Sequence, residues 1–274
     1  MEHLQYYWNW YCYANFFKSL GFTTLQSFDE AWRAKRGSIS ERNDNIRKAL
    51  VEYYREYFTD RPDLVRKIMS THAPQVRRKV VDNSFYSIIK QENVDRVTEI
   101  IDCITETGTK TKDCTERKFD MIVLGGFKVS HYFWPLDYKG RDGMTLKKAW
   151  QKDGARSYLG MTMPQYPHFF SFYGPNHQPR AGSLHSFGER WARYVVSAIV
   201  GMIEEGYSSI EIKKEVFDEY NARLDAGNKN LIWESGGSGY FVNQHGRQAV
   251  NMPWTNAEYH PMVRKVNFDD FQLK

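Results

Sequence analysis

Cysteine is scarce: Cys12, Cys103 and Cys114 are the only three among 274 residues, and no C-x-x-C pair occurs. An odd count without that spacing argues against a disulfide framework and a structural zinc site, and predicts a reduced, cytoplasmic protein. Long hydrophobic runs are missing. No stretch of ~18 apolar residues exists, so no membrane-spanning helix is expected. The N-terminus, Met1-Glu2-His3 followed by Tyr6, Tyr7, Trp8 and Trp10, has neither a basic region nor a small-residue cleavage site, and no secretory leader is expected. Charge of one sign is also missing. Lys+Arg 38 against Asp+Glu 33 gives a net charge of +5, interspersed along the chain, and the densest basic spot is Arg77-Arg78-Lys79. A nucleic-acid face calls for a longer basic stripe, so no nucleic-acid partner is expected. G-x-G-x-x-G, Walker A, H-E-x-x-H and G-x-S-x-G motifs do not occur. Gly236-Gly237-Ser238-Gly239 reads as a flexible turn rather than a phosphate loop. His177 and His185 lack a third partner in register, so no metal site is expected.

Aromatic residues are abundant: 8 Trp, 18 Tyr and 17 Phe make 16% of the chain, a composition suited to an apolar pocket and equally to an ordinary core. Residues 4 to 18 read as a helix that is aromatic on almost every side. Ile46, Leu50, Tyr53, Tyr54 and Tyr57 make a helical stripe between Ser40 and Phe58, and Pro62 and Pro74 then break the chain. Short strands are expected at Lys79 to Val81, Val94 to Val97, Glu99 to Thr105 and Lys118 to Leu124. The run from Phe119 to Leu124 is nearly all apolar, which predicts a central strand of a parallel sheet ending in Gly125-Gly126. Another strand is expected at His168 to Tyr173. The strongest helix pattern runs from Leu184 to Glu205, with Leu184, Phe187, Trp191, Val195, Ile199 and Met202 inward and Gly206 as its stop. A second amphipathic helix carries Ile212, Val216 and Tyr220 and ends near Gly227. The last forty residues read as loop.

Several motifs, taken in order, resemble one family. Asp120-Met121-Ile122-Val123-Leu124-Gly125-Gly126-Phe127 is similar to the "D-x-I-V-L-A-T-G-F" strand and turn of the class B flavin monooxygenases. Gly143, Leu146, Trp150, Tyr158-Leu159-Gly160, Pro167-His168-Phe169-Phe170 and Gly174-Pro175-Asn176 follow in that family's order. Tyr240 to Arg247 and Asn251-Met252-Pro253-Trp254 resemble its "W-Y-x-x-x-x-G-R…N-W-P" tail. The likeness is to the Baeyer–Villiger monooxygenases and covers essentially the whole chain. It implies an α/β fold: the C-terminal portion of a flavoprotein with two dinucleotide-binding domains, an incomplete sheet and flanking helices. Residues 1–75 would be the helical tail of the NADPH domain, and residues 76–274 the return into the FAD domain.

The same resemblance implies FAD- and NADPH-dependent oxygenation of a hydrophobic ketone. Arg77-Arg78-Lys79-Val80-Val81-Asp82 with Tyr86 looks like the family's "K-R-x-x-x-D…Y" stretch. On that likeness Arg78 is the catalytic cation that holds the nicotinamide and steadies negative charge on the oxygenated flavin, a task suited to a permanently charged guanidinium. Gly125, Gly126, Phe127 and Tyr240 are expected at the cofactor, and Gly174, Pro175 and Asn176 at the substrate. Two departures stand out. The dinucleotide glycine loops, which seat a pyrophosphate on a helix N-terminus, are missing. The Ala-Thr-Gly turn is replaced by Gly125-Gly126, one residue shorter. The chain is therefore expected to be a truncated form that does not oxygenate unaided. Its alternatives are a non-catalytic remnant, a subunit working with a flavin-binding partner chain, or a flavin-free acid–base catalyst using His177, His185 or Glu189.

Overall fold

The computed structural model describes residues 11, 22–36, 38–77, 80, 82–126, 132–133, 135–235 and 241–274. Its helices are α1 (Phe22–Leu25), α2 (Glu30–Arg36), α3 (Glu41–Tyr57), α4 (Pro62–Ile68), α5 (Phe85–Ile88), α6 (Leu146–Ala149), α7 (Leu184–Glu205), α8 (Lys214–Asn228) and α9 (Asn256–Met262). Its strands are β1 (Ile101–Thr105), β2 (Gly108–Thr111), β3 (Glu116–Lys118), β4 (Ile210–Ile212) and β5 (Phe271–Leu273). The fold is mixed α/β, with helices and small sheets. The chain divides into two compact units, one of Met1–Asp44, His72–Arg77 and Lys128–Lys274, the other of Asn45–Thr71 and Arg78–Phe127.

The first unit is built on α7. Phe187, Trp191, Tyr194 and Ala198 of that helix are buried, with Ile210 and Ile212 of β4, Tyr220 and Leu224 of α8, Tyr259 of α9 and Phe271 of β5. The helix matches its expected span, and of its expected stripe Phe187 and Trp191 are buried and Val195 and Met202 pack partly buried against this core, while Leu184 and Ile199 are exposed and Tyr194 and Ala198 are buried instead. The cause is geometric. Seven residues from Phe187 to Tyr194 return to within about 20° of the same face, whereas eight to Val195 drift about 80°. Each large side chain fully buried here contributes about 1.5–3 kcal/mol. The terminal forty residues are not all loop. Thr255 caps α9 in a reciprocal box with Glu258, and β5 pairs antiparallel with β4. Ile212 belongs to β4 rather than to the helix that follows it. No strand forms at His168 to Tyr173. His168 and Tyr173 both take positive φ, so the segment turns instead of extending.

The second unit holds an antiparallel sheet ordered β1-β2-β3 and a small core of Phe58, Leu64 and Ile89. Residues 94–97 make no strand. The run 119–124 is a further correction: it is irregular and exposed, with Val123 82% and Leu124 83% accessible. β3 ends at Lys118, and the Phe119 amide donating to the Thr107 carbonyl at 2.9 Å is the last rung beside it. Both described sheets are antiparallel, so the parallel central strand does not exist among the described residues. On α3, Leu50, Tyr53 and Tyr57 are exposed rather than forming a buried stripe. The aromatic segment at residues 4 to 18 lies, apart from Tyr11, outside the described residues, as do Lys79 and Val81.

Candidate functional site

Two motifs distant in sequence meet in the first unit. Asn176, the end of Gly174-Pro175-Asn176, is 2% exposed and sits at a φ of 55°, a left-handed conformation that asparagine tolerates. Its Nδ2 donates to the carbonyls of Gln248 (2.9 Å) and Asn251 (3.1 Å). Its Oδ1 accepts from Nη2 of Arg247 at 2.8 Å. Arg247 also donates Nη1 to the Ala155 carbonyl at 3.0 Å and Nε to Asp225 at 3.0 Å. Asp225 in turn pairs with Arg156 at 2.8 Å, and Arg156 with Asp153 at 2.6 Å. Burial lowers the Arg247 pKa, opposed by the Asp225 charge; a guanidinium nonetheless stays protonated. The result is a relay of alternating charges that ties the Gly174-Pro175-Asn176 turn to the tail around Gly246-Arg247. Gly174, adjacent to it, donates its amide to the Gly160 carbonyl at 3.1 Å.

His177 follows directly. Its ring is fully buried, 3.9 Å from the Trp191 ring centroid, with Nε2 2.6 Å from the Tyr259 hydroxyl. Burial pushes its pKa down to about 3, so the imidazole is neutral at physiological pH. Gly160, at a φ of 75°, lies against it: a Cβ there would come within 2.1 Å of the ring.

Beside the charge relay a cleft of about 520 Å³ opens, lined by Tyr132, Leu136, Leu146, Lys147, Trp150 and His245 among others. Its wall includes Gly154, Ala155 and Asn243, which adjoin the Arg247 network.

The expected site residues are dispersed. Gly174, Pro175 and Asn176 are buried together in the first unit. Gly125 and Gly126 are exposed in irregular chain of the second unit, and a Cβ at either would meet nothing within 4 Å. Arg78, Phe127 and Tyr240 lie outside the described residues, as does Gly236-Gly237-Ser238-Gly239. His185 and Glu189 are exposed on α7, away from the buried His177 ring. Among the described residues no three His, Cys, Asp or Glu side chains cluster as a metal site, and no helix is long and apolar enough to cross a membrane. Sequence reading missed Arg156 and Asp225, which carry no local motif. The tail motif contained Arg247 without indicating its partner.

No family model matches the sequence. Among curated proteins, the monooxygenase y4iD of Sinorhizobium fredii is 28% identical over 247 residues, 89% of this chain and 37% of that protein. The FAD-binding monooxygenase ktnD of Aspergillus niger is 31% identical over 232 residues, 81% of this chain and 37% of its own. A Baeyer–Villiger monooxygenase of Pseudomonas aeruginosa is 27% identical over 215 residues, 77% of this chain and 41% of that protein. Among solved structures, OTEMO in complex with FAD and NADP superposes with a TM-score of 0.73 at 22% identity, covering 86% of this chain and 45% of OTEMO. Oxidized steroid monooxygenase bound to NADP gives 0.72 at 24% identity, covering 90% of this chain and 46% of that one. The chain thus spans 37–41% of the length of these curated relatives. In sequence the chain is thus similar to FAD-binding and Baeyer–Villiger monooxygenases, and it shares the fold of part of their length.

Proposed function

We propose that the chain takes part in FAD- and NADPH-dependent Baeyer–Villiger-type oxygenation of a hydrophobic ketone in the cytoplasm. The observation that carries this reading is the match of 81% of the chain to an FAD-binding monooxygenase at 31% identity. The pyrophosphate seats come from residues that these 274 do not include, in the same polypeptide or in a partner chain. The sequence has no G-x-G-x-x-G. FAD supplies the oxygen chemistry when bound. This chain's part is to shape the apolar side of the site through the Asn176–Arg247 junction and to place one fixed positive charge, Arg78. Gly174, Pro175 and Asn176 support the substrate side; Phe127 and Tyr240 approach the cofactor.

The test is oxygenation of a hydrophobic ketone by the chain reconstituted with its missing dinucleotide-binding portion. Arg78→Ala is expected to leave folding intact and lower turnover on the order of a hundred- to a thousand-fold, the typical cost of removing one aimed charge stabiliser. Arg78→Lys restores only part, since an ammonium lacks the planar fork. Equal turnover in wild type and both variants would remove Arg78 from the mechanism and favour the non-catalytic alternative.

A further inference from the structure

The cleft beside the charge relay has a chemistry of its own. Its floor is apolar. Leu146 and Ala155 are each 3% exposed. The Trp150 indole is held by its Nε1–H donating to the Arg156 carbonyl at 3.2 Å and stacks with Phe133 at 6.0 Å between centroids. The Tyr132 hydroxyl is engaged with the Ala249 carbonyl at 3.1 Å, so its ring is what it offers to a ligand. About 520 Å³ falls within the range of small-molecule sites, roughly 300–1,000 Å³.

The polar groups of the lining are unequally divided. Asn243 is satisfied: Nδ2 donates to the Asp153 carbonyl at 2.9 Å, and Oδ1 accepts from the amides of His245 and Arg247 at 3.0 Å each. Asp137 accepts the Lys147 amide at 3.3 Å at the start of α6. Gln244 Nε2 lies 3.3 Å from His245 Nε2, which leaves the other ring nitrogen of His245 as a donor. The Lys147 ammonium takes part in none of the described ion pairs. The free groups are therefore mainly donors, one of them cationic, around an aromatic floor. Asp137 is the one carboxylate among the described lining residues, and it disfavours a multiply charged ligand such as a nucleotide.

We propose that this cleft binds a fused-ring aromatic monocarboxylate, its rings against Trp150, Tyr132 and Leu146 and its carboxylate against Lys147 and His245. The proposal does not rest on the oxygenation reading, and its test needs no flavin. In isothermal titration of the 274-residue chain, 2-naphthoate is expected to bind saturably at one site, and the neutral isostere 2-naphthalenemethanol more weakly. Lys147→Met keeps the aliphatic stem of an exposed residue. It should weaken naphthoate about tenfold, the scale of one charge-assisted hydrogen bond, and leave the alcohol unchanged. Leu136→Asp, a change at a side chain 62% exposed at the cleft, should weaken naphthoate by repulsion. Lack of saturable naphthoate binding to wild type, or undiminished binding to both variants, would overturn the proposal.

Discussion

At Asp225 one carboxylate serves two guanidiniums, Arg156 and Arg247, the latter with a side chain only 9% exposed. Asp225→Ala leaves Arg247 desolvated without its counter-charge. The expected loss is about 2–3 kcal/mol in urea denaturation, below the ~3–5 of a fully buried pair because the Asp225 side chain is 34% exposed. Asp218→Ala breaks the exposed Lys214–Asp218 pair and should change stability by no more than about 0.5 kcal/mol; equal effects at the two sites would contradict the structural weight given to the relay. His177 sets a pH dependence. Its folded-state pKa, about 3, lies below the ordinary 6.5, so the unfolded chain binds the extra proton. Its contribution is fully present above pH 6.5 and declines as pH falls from there toward 3, at up to about 1.4 kcal/mol per pH unit. Between pH 6.5 and 5, His177→Phe should therefore show a shallower loss of stability than wild type. Parallel profiles would mean that His177 takes up a proton in the folded state.

At the scale of the element, α7 shows how a helix is stopped. Gly206 takes a φ of 72°, with the Tyr207 amide donating back to the Met202 carbonyl at 2.9 Å. A Cβ at Gly206 meets nothing within 4 Å, so Gly206→Ala pays only the left-handed backbone penalty, about 1 kcal/mol. Gly160→Ala adds a collision with the His177 ring to the same backbone penalty and is expected to cost several times as much. Chemical denaturation of the two variants side by side checks the ratio, and a Gly160→Ala protein as stable as Gly206→Ala would show that the ring can move aside. The outer face of α7 is apolar as well: Val196, Val200 and Ile203 are exposed. This is why the periodicity located the helix and left its inward face ambiguous.

For the whole molecule, the missing glycine loops lead to one visible outcome. The purified chain, expressed with excess flavin, is expected to be colourless. A stoichiometric flavin band in the visible spectrum would show that these residues seat FAD unaided, and would revive oxygenation by the 274-residue chain alone. The two units carry the motifs differently: Gly174-Pro175-Asn176 and Arg247 belong to the first, Gly125-Gly126 to the second.

Local order was legible in the sequence wherever short-range forces decide it. The 3.6-residue period and Gly206 located α7 to the residue, and the ordered motifs pointed to the monooxygenases that the chain resembles. Long-range pairing was not legible. The run 119–124 has the composition of a buried strand, but a strand needs a neighbour to satisfy its backbone, and after the single Phe119 rung this run pairs with no strand among the described residues. The short β4–β5 pair was missed because its halves lie far apart in sequence and each has only three residues. Asp225 looks like an ordinary helix-surface carboxylate until the fold brings Arg247 and Arg156 against it. Periodicity and motif order record what neighbours along the chain do to one another. The charge relay at Asn176 and the cleft floor at Trp150 depend on which distant segments share a desolvated interior, and only tertiary packing decided that.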